Sequence, residues 1–445
     1  MSDLKDKMQR AITWKTGFFL AITAVLDWFW LTGTAIGLVG KWAIAAWVTA
    51  ISLQAIACVG YLEMATMFKD SSGGLPSYVH EAFKKYSTIP GALASWGYVI
   101  GWGAAPIAIV LFAGFFVKQT IYHSLNVTLF ASILMIAVFV LNYFGVRSWS
   151  RASTLIIITA IISLLICLGN WIFPSPYAVN SPGFGYTVEN LTLPTFISAV
   201  FILAWTSYST EIVLTVTAEY KDPVLDSKKA LIASIGAFFI GTIFVAATFL
   251  KMLPIDVILN DPYTPLLPLS EHLMGRAGEL GITFAMVIGL FLGMNACFIA
   301  ASRVLYQMGR DGTTIKQFGA LNKYGSPSGA IFGLLLLNLL MITLFGEQPI
   351  AIIRAGDVGY FGTVILANIS FVLLRRNKPD AERLYRAPEY FVYVMALLAV
   401  INFIIVSVGS LEWGLLRTAI GVSLLFSYVP LYYYRKKVQD KKSAV

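Results

Sequence analysis

Stretches of about twenty apolar residues recur along the whole 445-residue chain, and that recurrence leaves few ways to fold. Wound as an α-helix at 1.5 Å per residue, such a stretch matches a hydrocarbon layer about 30 Å thick. Backbone amides find no partner in lipid, so only helices and closed barrels span it. The alternating ten-residue pattern of barrel strands is absent. Charged residues make up 12% of the chain, about half the share in soluble domains. The sequence therefore reads as an all-α membrane protein with twelve spans, at about 16–39, 42–66, 92–117, 124–144, 152–173, 193–217, 229–252, 279–307, 328–346, 350–374, 391–410 and 413–434. No cleavable signal peptide is evident, because residues 1–15 are polar and basic and the helix after them is too long.

The net charge of +9 suggests no nucleic-acid partner once the basic residues are mapped. With the N-terminus in the cytoplasm, 26 of the 32 Lys and Arg fall in inside loops and tails. The positive-inside bias then puts both termini in the cytoplasm of a multi-pass cell-membrane protein, with the lipid bilayer as its surroundings. Lys41, Lys118, Lys251, Arg276, Arg354 and Arg417 fall outside or near span ends. Cys58, Cys167 and Cys297 all sit in apolar segments without metal-ligand spacing and read as small core residues. Neither a metal nor a cofactor is implied. Residues 68–86 read as a cytoplasmic loop plus a short interfacial helix, and 256–279 as an external loop with short helices.

Asp27 stands apart. It lies about 16 Å into the first span, near the bilayer midplane, where an ionisable group costs at least ~2.5–3.5 kcal/mol. Trp28, Phe29, Trp30 and then Thr32-Gly-Thr34 follow it, and Thr23 precedes it by one turn. The sixth span carries a similar interruption, Trp205-Thr-Ser-Tyr-Ser-Thr-Glu211. Five spans separate the two interruptions, which is the pattern of an inverted repeat whose site lies where two irregular helices meet.

Five motifs in order resemble the amino acid–polyamine–organocation permeases. They are Glu63-Met-Ala-Thr-Met-Phe with Ser72-Gly-Gly-Leu-Pro-Ser-Tyr78; Asn142-Tyr-Phe-Gly-Val-Arg147; Tyr208-Ser-Thr-Glu211 with Ala218-Glu-Tyr-Lys-Asp-Pro223; Ser302-Arg-Val-Leu with Gly309-Arg-Asp-Gly312; and Leu374-Arg-Arg, Arg383 and Tyr385-Arg-Ala-Pro388. The resemblance covers nearly the whole chain and implies a LeuT-like fold. In it, a cytoplasmic tail (1–15) precedes a transporter domain (16–434) and a second tail (435–445). The domain would hold one five-helix repeat at about 16–173, its inverted partner at about 193–374, and two appended helices at about 391–434.

The resemblance also implies site residues, with departures. The family's unwound Gly-Ser-Gly, whose bare amides hold a substrate carboxylate, aligns with Leu26-Asp27-Trp28, so a negative charge replaces an anion-binding backbone. Ser209 stands for a glycine of span 6, which predicts a milder break there. Trp205 matches a gating aromatic and Glu211 an acidic residue used in proton coupling, while Asp27 reads as either an ammonium ligand or a protonatable coupling group. Thr159 or Ala160 replaces a lysine of some proton-coupled relatives, and Cys297 a substrate-stacking aromatic. Trp28, Trp102, Tyr208 and Asn295 are expected to line the pocket with Asp27, Thr23, Trp205 and Ser209. Glu63 and Asp357 read as structural or loop-anchoring.

The expectation is a secondary active transporter, permease or antiporter, that moves amino acids or their amine derivatives by alternating access. A coupling proton or a counter-solute would drive it. The alternative is an amine- or polyamine-specific exchanger in which Asp27 binds the ammonium group. A non-transporting sensor would be expected to carry an extra soluble domain, and the tail after residue 434 is short. Enzyme motifs such as Gly-x-Ser-x-Gly and His-Glu-x-x-His are missing, so no catalysis is expected.

Overall fold

The computed structural model describes residues 10, 12–22, 26–69, 74–144, 149–174, 181 and 183–440, the side chains of 149–153 excepted. Thr23 and parts of two motifs (71–73 and 145–147) lie outside the described residues. Helices occupy all twelve segments that hydropathy marks. Span 1 comprises α1 (Trp14–Ile22) and α2 (Asp27–Val39), on either side of residues 23–25. Spans 2 to 5 are α3 (Ala43–Met67), α5 (Ile89–Thr120), α6 (Val127–Tyr143) and α7 (Trp149–Ile172), with the short α4 (Gly74–Phe83) after span 2. Span 6 is α8 (Leu193–Tyr208), continued by 3₁₀ turns at Ser209–Leu214 and Thr217–Glu219. Then come α9 (Pro223–Met252), the short α10 (Ile255–Asn260) and the long α11 (Leu266–Arg310). Spans 9 to 12 are α12 (Ser328–Phe345), α13 (Pro349–Asn377), α14 (Phe391–Leu411), and α15 (Leu415–Phe426) with α16 (Tyr428–Tyr434). Ten helical stretches among the described residues have the length and apolar composition to cross a membrane, one of them running through spans 1 and 2. Among the described residues the β-structure is a single bridge, Ile12 to Tyr220. The chain is an all-α multi-span membrane protein.

Local chemistry explains several boundaries. Asp222, followed by Pro223, accepts from the Val224 and Leu225 amides and so caps α9. Thr192 and Asn126 cap α8 and α6 in the same way. Gly312 ends α11 with φ +69°, a conformation open to glycine. One boundary departs from the sequence reading: α11 begins thirteen residues earlier than residue 279. Pro265 and Pro268 fall at its start, where the missing N–H costs no intrahelical bond, and Gly275 (φ +58°, ψ −151°) bends it away from the span proper.

The helices pack in two groups. Helices α1, α2, α3, α8 and α9 contact one another, and α5, α6, α11 and α12 form a second set, with α13 packed along α5. Gly97 and Gly359 let α5 and α13 approach closely: a Cβ at Gly97 would stand 2.4 Å from the Gly359 carbonyl oxygen. The start of the chain is strapped to the first group. Ile12 exchanges backbone bonds with Glu219 and Lys221 (3.2 and 2.9 Å), and the Trp14 amide donates to Asp226 (2.9 Å).

Two distant motifs close on each other at the end of the bundle that bears most basic loops. The buried Glu63 carboxylate at the end of α3 accepts from Arg375 Nε and Nη2 (2.6 Å each) and from the Ala387 amide (2.8 Å). Arg383 Nε lies 2.9 Å from the same carboxylate as an ion pair, without hydrogen-bond alignment. Glu63 thus anchors the segment after α13.

Candidate functional site

Between the two groups of helices lies a cavity of about 520 Å³. It follows α11 from Gly289 to Arg303, fourteen residues or about 21 Å of helix. At the Arg303 end it is lined by the exposed Tyr324 and Gly325, so it opens toward the end that carries most of the basic loops. Small residues make the room. A Cβ on Gly293 would meet nothing within 4 Å.

The opposite end is sealed. Ile109 is the last residue of α5 on the cavity wall, and one turn on Phe112 stacks against Trp30 with ring centroids 3.9 Å apart. Tyr263 closes on Phe112 and Phe115 at 5.3 and 5.1 Å. Gly33 abuts Pro262 so tightly that a Cβ there would come within 2.2 Å of the carbonyl oxygen. Asp261 accepts from Gln119 at 2.9 Å and from the Tyr263 amide at 3.1 Å, which ties the α10–α11 connection to the end of α5.

Asp27 is the first residue of α2, is 6% exposed and lines the cavity. Its carboxylate stands at the positive end of that helix dipole. The indoles of Trp205 and Trp30 lie beside it. Among the described residues no Lys or Arg forms an ion pair with it. Trp205, Ser209 and Trp102 also line the cavity, as does Cys297.

Three expected lining residues are corrected. Trp28 turns its ring edge-on to Phe238 at 5.0 Å and into the notch left by Gly241, where a Cβ would be 1.9 Å from the ring. It follows Asp27 by one residue, about 100° around the helix, and so faces α9 instead of the cavity. Tyr208 points to α14, where its hydroxyl donates to Asn402 at 2.7 Å. Asn295 is absent from the wall but accepts at 2.6 Å from Asn142, which is on it. Thr159 bridges α7 and α11, donating to the Leu155 and Ala285 carbonyls.

Span 6 tightens and does not unwind. Ser209 keeps helical angles (φ −61°, ψ −16°) as the chain enters the 3₁₀ turn, in keeping with serine in a glycine's place. The Tyr208 carbonyl, freed by that change of pitch, accepts from Gln54 at 2.8 Å and from the Tyr360 hydroxyl at 3.2 Å. The same hydroxyl is 3.2 Å from Glu211 Oε1. Glu211 is fully buried, its other oxygen has no partner among the described residues, and Tyr98 neighbours it. It is not on the cavity wall, but Tyr360, which bonds to it, is.

Sequence reasoning missed Tyr360, Asn142, Ser302 and Arg303 as lining residues. The available signal for Tyr360 was its setting in Arg354-Ala-Gly-Asp-Val-Gly-Tyr-Phe-Gly362, where two charges and three glycines share a membrane helix. The structure places Arg354, read as outside or near a span end, inside the first turns of α13. It is 4% exposed, five residues into α13.

Comparison with known proteins agrees with this architecture. The family described as "Amino acid permease" matches residues 12–425. The chain is 24% identical to the Gamma-aminobutyric acid permease of Bacillus subtilis, covering 93% of this chain and 90% of that protein. It is also 24% identical to the Glutamate/serine transporter AimA of Bacillus subtilis (91% and 78% covered). Against the Low-affinity putrescine importer PlaP of Escherichia coli the identity is 23% (80% and 79% covered).

Proposed function

Because the chain belongs to the amino acid permease family, we propose that it is a secondary transporter that grips the ammonium group of an amino acid or amine with Asp27. It is a membrane transporter and not an enzyme; the substrate and the cycle are our reading. One observation carries it: a carboxylate without a cationic partner among the described residues sits in a cavity walled by Trp205, Trp102 and Tyr360. An ammonium group there neutralises the charge, and aromatic faces add ~0.5–2 kcal/mol by cation–π attraction. With the basic loops in the cytoplasm, the cavity faces inward and the Trp30–Phe112 seal faces outward. The cycle rocks α1, α2, α3, α8 and α9 against α5, α6, α11 and α12, each group drawing helices from both inverted five-helix repeats, with α14 to α16 appended. Trp205 gates the ammonium site, and Glu211 with Tyr360 carries the coupling proton.

The test is uptake of labelled 4-aminobutyrate, lysine and putrescine into proteoliposomes, with and without a pH gradient. Asp27→Asn is expected to abolish saturable uptake while leaving the melting temperature near that of the parent. Saturable uptake of the carboxylated probes that ignores Asp27→Asn would refute the ammonium-ligand role. A second reading, specificity for amines without a carboxylate, draws on Asp27 occupying the start of α2 where relatives present amides to an anion. Putrescine uptake alone would favour it.

A further inference from the structure

Tyr360 reaches the cavity wall, and toward the sealed end of α13 lie Asp357, one turn back, and Arg354, a further turn back and about 120° around the helix from Tyr360. Asp357 is fully buried and both its oxygens lack a hydrogen-bond partner among the described residues. Arg354 is equally bare: Nε, Nη1 and Nη2 have no acceptor. Its guanidinium is covered by the Trp413 ring, whose indole N–H is bonded to Ser198 of α8. The other well-buried guanidiniums behave differently, since Arg375 and Arg383 both meet the Glu63 carboxylate. A buried charge is normally retained only when paired or used, and five unsatisfied polar atoms on adjacent turns are costly.

We infer that Arg354 and Asp357 form a receiving station for a zwitterionic amino acid on the far side of the seal, with Arg354 taking the carboxylate and Asp357 the ammonium group. The inference rests on the transport cycle proposed above, and it supplies what Asp27 cannot. Asp27 repels a carboxylate, so a substrate that carries one needs a cation elsewhere along its path. Opposite charges one helical turn apart, with Cβ atoms roughly 5–6 Å apart, complement an ammonium and a carboxylate in one small molecule. Arg354 is reached once α8 and the Trp413 cover part from α13. In the state seen here, with the cavity open at the other end, both groups are dehydrated and held idle. A diamine needs no such cation.

Two measurements test this. In proteoliposomes, R354Q is expected to raise KM for external 4-aminobutyrate or lysine by roughly tenfold or more, the loss of one charge-assisted hydrogen-bonded contact. R354K is expected to recover part of that loss, and KM for putrescine to stay within about twofold. The R354Q/D357N double variant, which leaves no lone buried charge, guards against a simple folding defect. A parallel loss of putrescine uptake in R354Q, or an unchanged KM of R354Q for the carboxylated probes, overturns the station. If the parent carries none of these probes, the transport reading fails, and labelling decides the station separately. R354C in a chain lacking its three native cysteines is treated with a membrane-impermeant sulfonated thiol reagent from each side. Modification from the external side alone supports the placement, and no external modification overturns it.

Discussion

Replacing Glu63 with glutamine keeps the shape of the side chain and removes its charge, where two motifs more than 300 residues apart are joined. In the parent, the carboxylate receives two hydrogen bonds from Arg375 and one from the Ala387 amide, and it also faces Arg383. The two arginine side chains are 5% and 2% exposed, so the glutamine variant leaves Arg383 charged without a counter-charge and Arg375 with only the exposed Glu389 at 3.1 Å. Breaking one side of a buried ion pair costs about 3–5 kcal/mol. At about 2.1 cal/mol/K per residue, the unfolding entropy of 445 residues is roughly 0.9 kcal/mol/K, so the expected fall in melting temperature is about 3–5 °C. Melting of the purified protein in detergent reads this directly. Trypsin provides a local readout, since release of the segment after α13 exposes the buried Arg383 to cleavage. In the E63Q/R375Q double variant, the second substitution is expected to cost much less than R375Q alone, because the bond it would break is already lost. The argument fails if E63Q melts within about 1 °C of the parent with an unchanged tryptic pattern.

Two further substitutions probe the cavity and its walls. Gly293→Leu adds a side chain where nothing lies within 4 Å of the new Cβ, so it is expected to leave the melting temperature nearly unchanged while cutting uptake of any transported probe by roughly tenfold or more, through occupation of the void. Gly241→Ala drives a methyl group into the Trp28 ring and is expected to destabilise by about 1–3 kcal/mol; Trp28→Phe in the same chain should restore part of the loss, which would not occur if the indole were free in the cavity.

The membrane-spanning organisation could be read from hydropathy because the rule behind it is local. Each helix must satisfy its own backbone in lipid, whatever its neighbours do. The Asp222-Pro223 cap is local in the same sense, since its partners are the Val224 and Leu225 amides. Residues whose chemistry is out of place in their own span, Asp27, Trp205 and Ser209, lie on the cavity wall. Which of their neighbours join them depends on how each helix is rotated. Trp28 and Tyr208 looked like pocket aromatics because they adjoin Asp27 and Ser209, yet they bind Gly241 and Asn402 on other helices.

By itself, then, the sequence determined that the chain crosses a membrane many times as helices and that a carboxylate lies within the first span. Only the tertiary structure decided which residues share the void, that Glu63 answers Arg375 and Arg383, and that Arg354 lies buried without an acceptor among the described residues. The reason is geometric. Spanning depends on length and polarity along one helix, whereas a side chain's partner depends on a rotation of about 100° per residue and on packing between helices far apart in the chain. Asp27 and Trp28 are neighbours in sequence, and that rotation alone sends one into the cavity and the other into the wall.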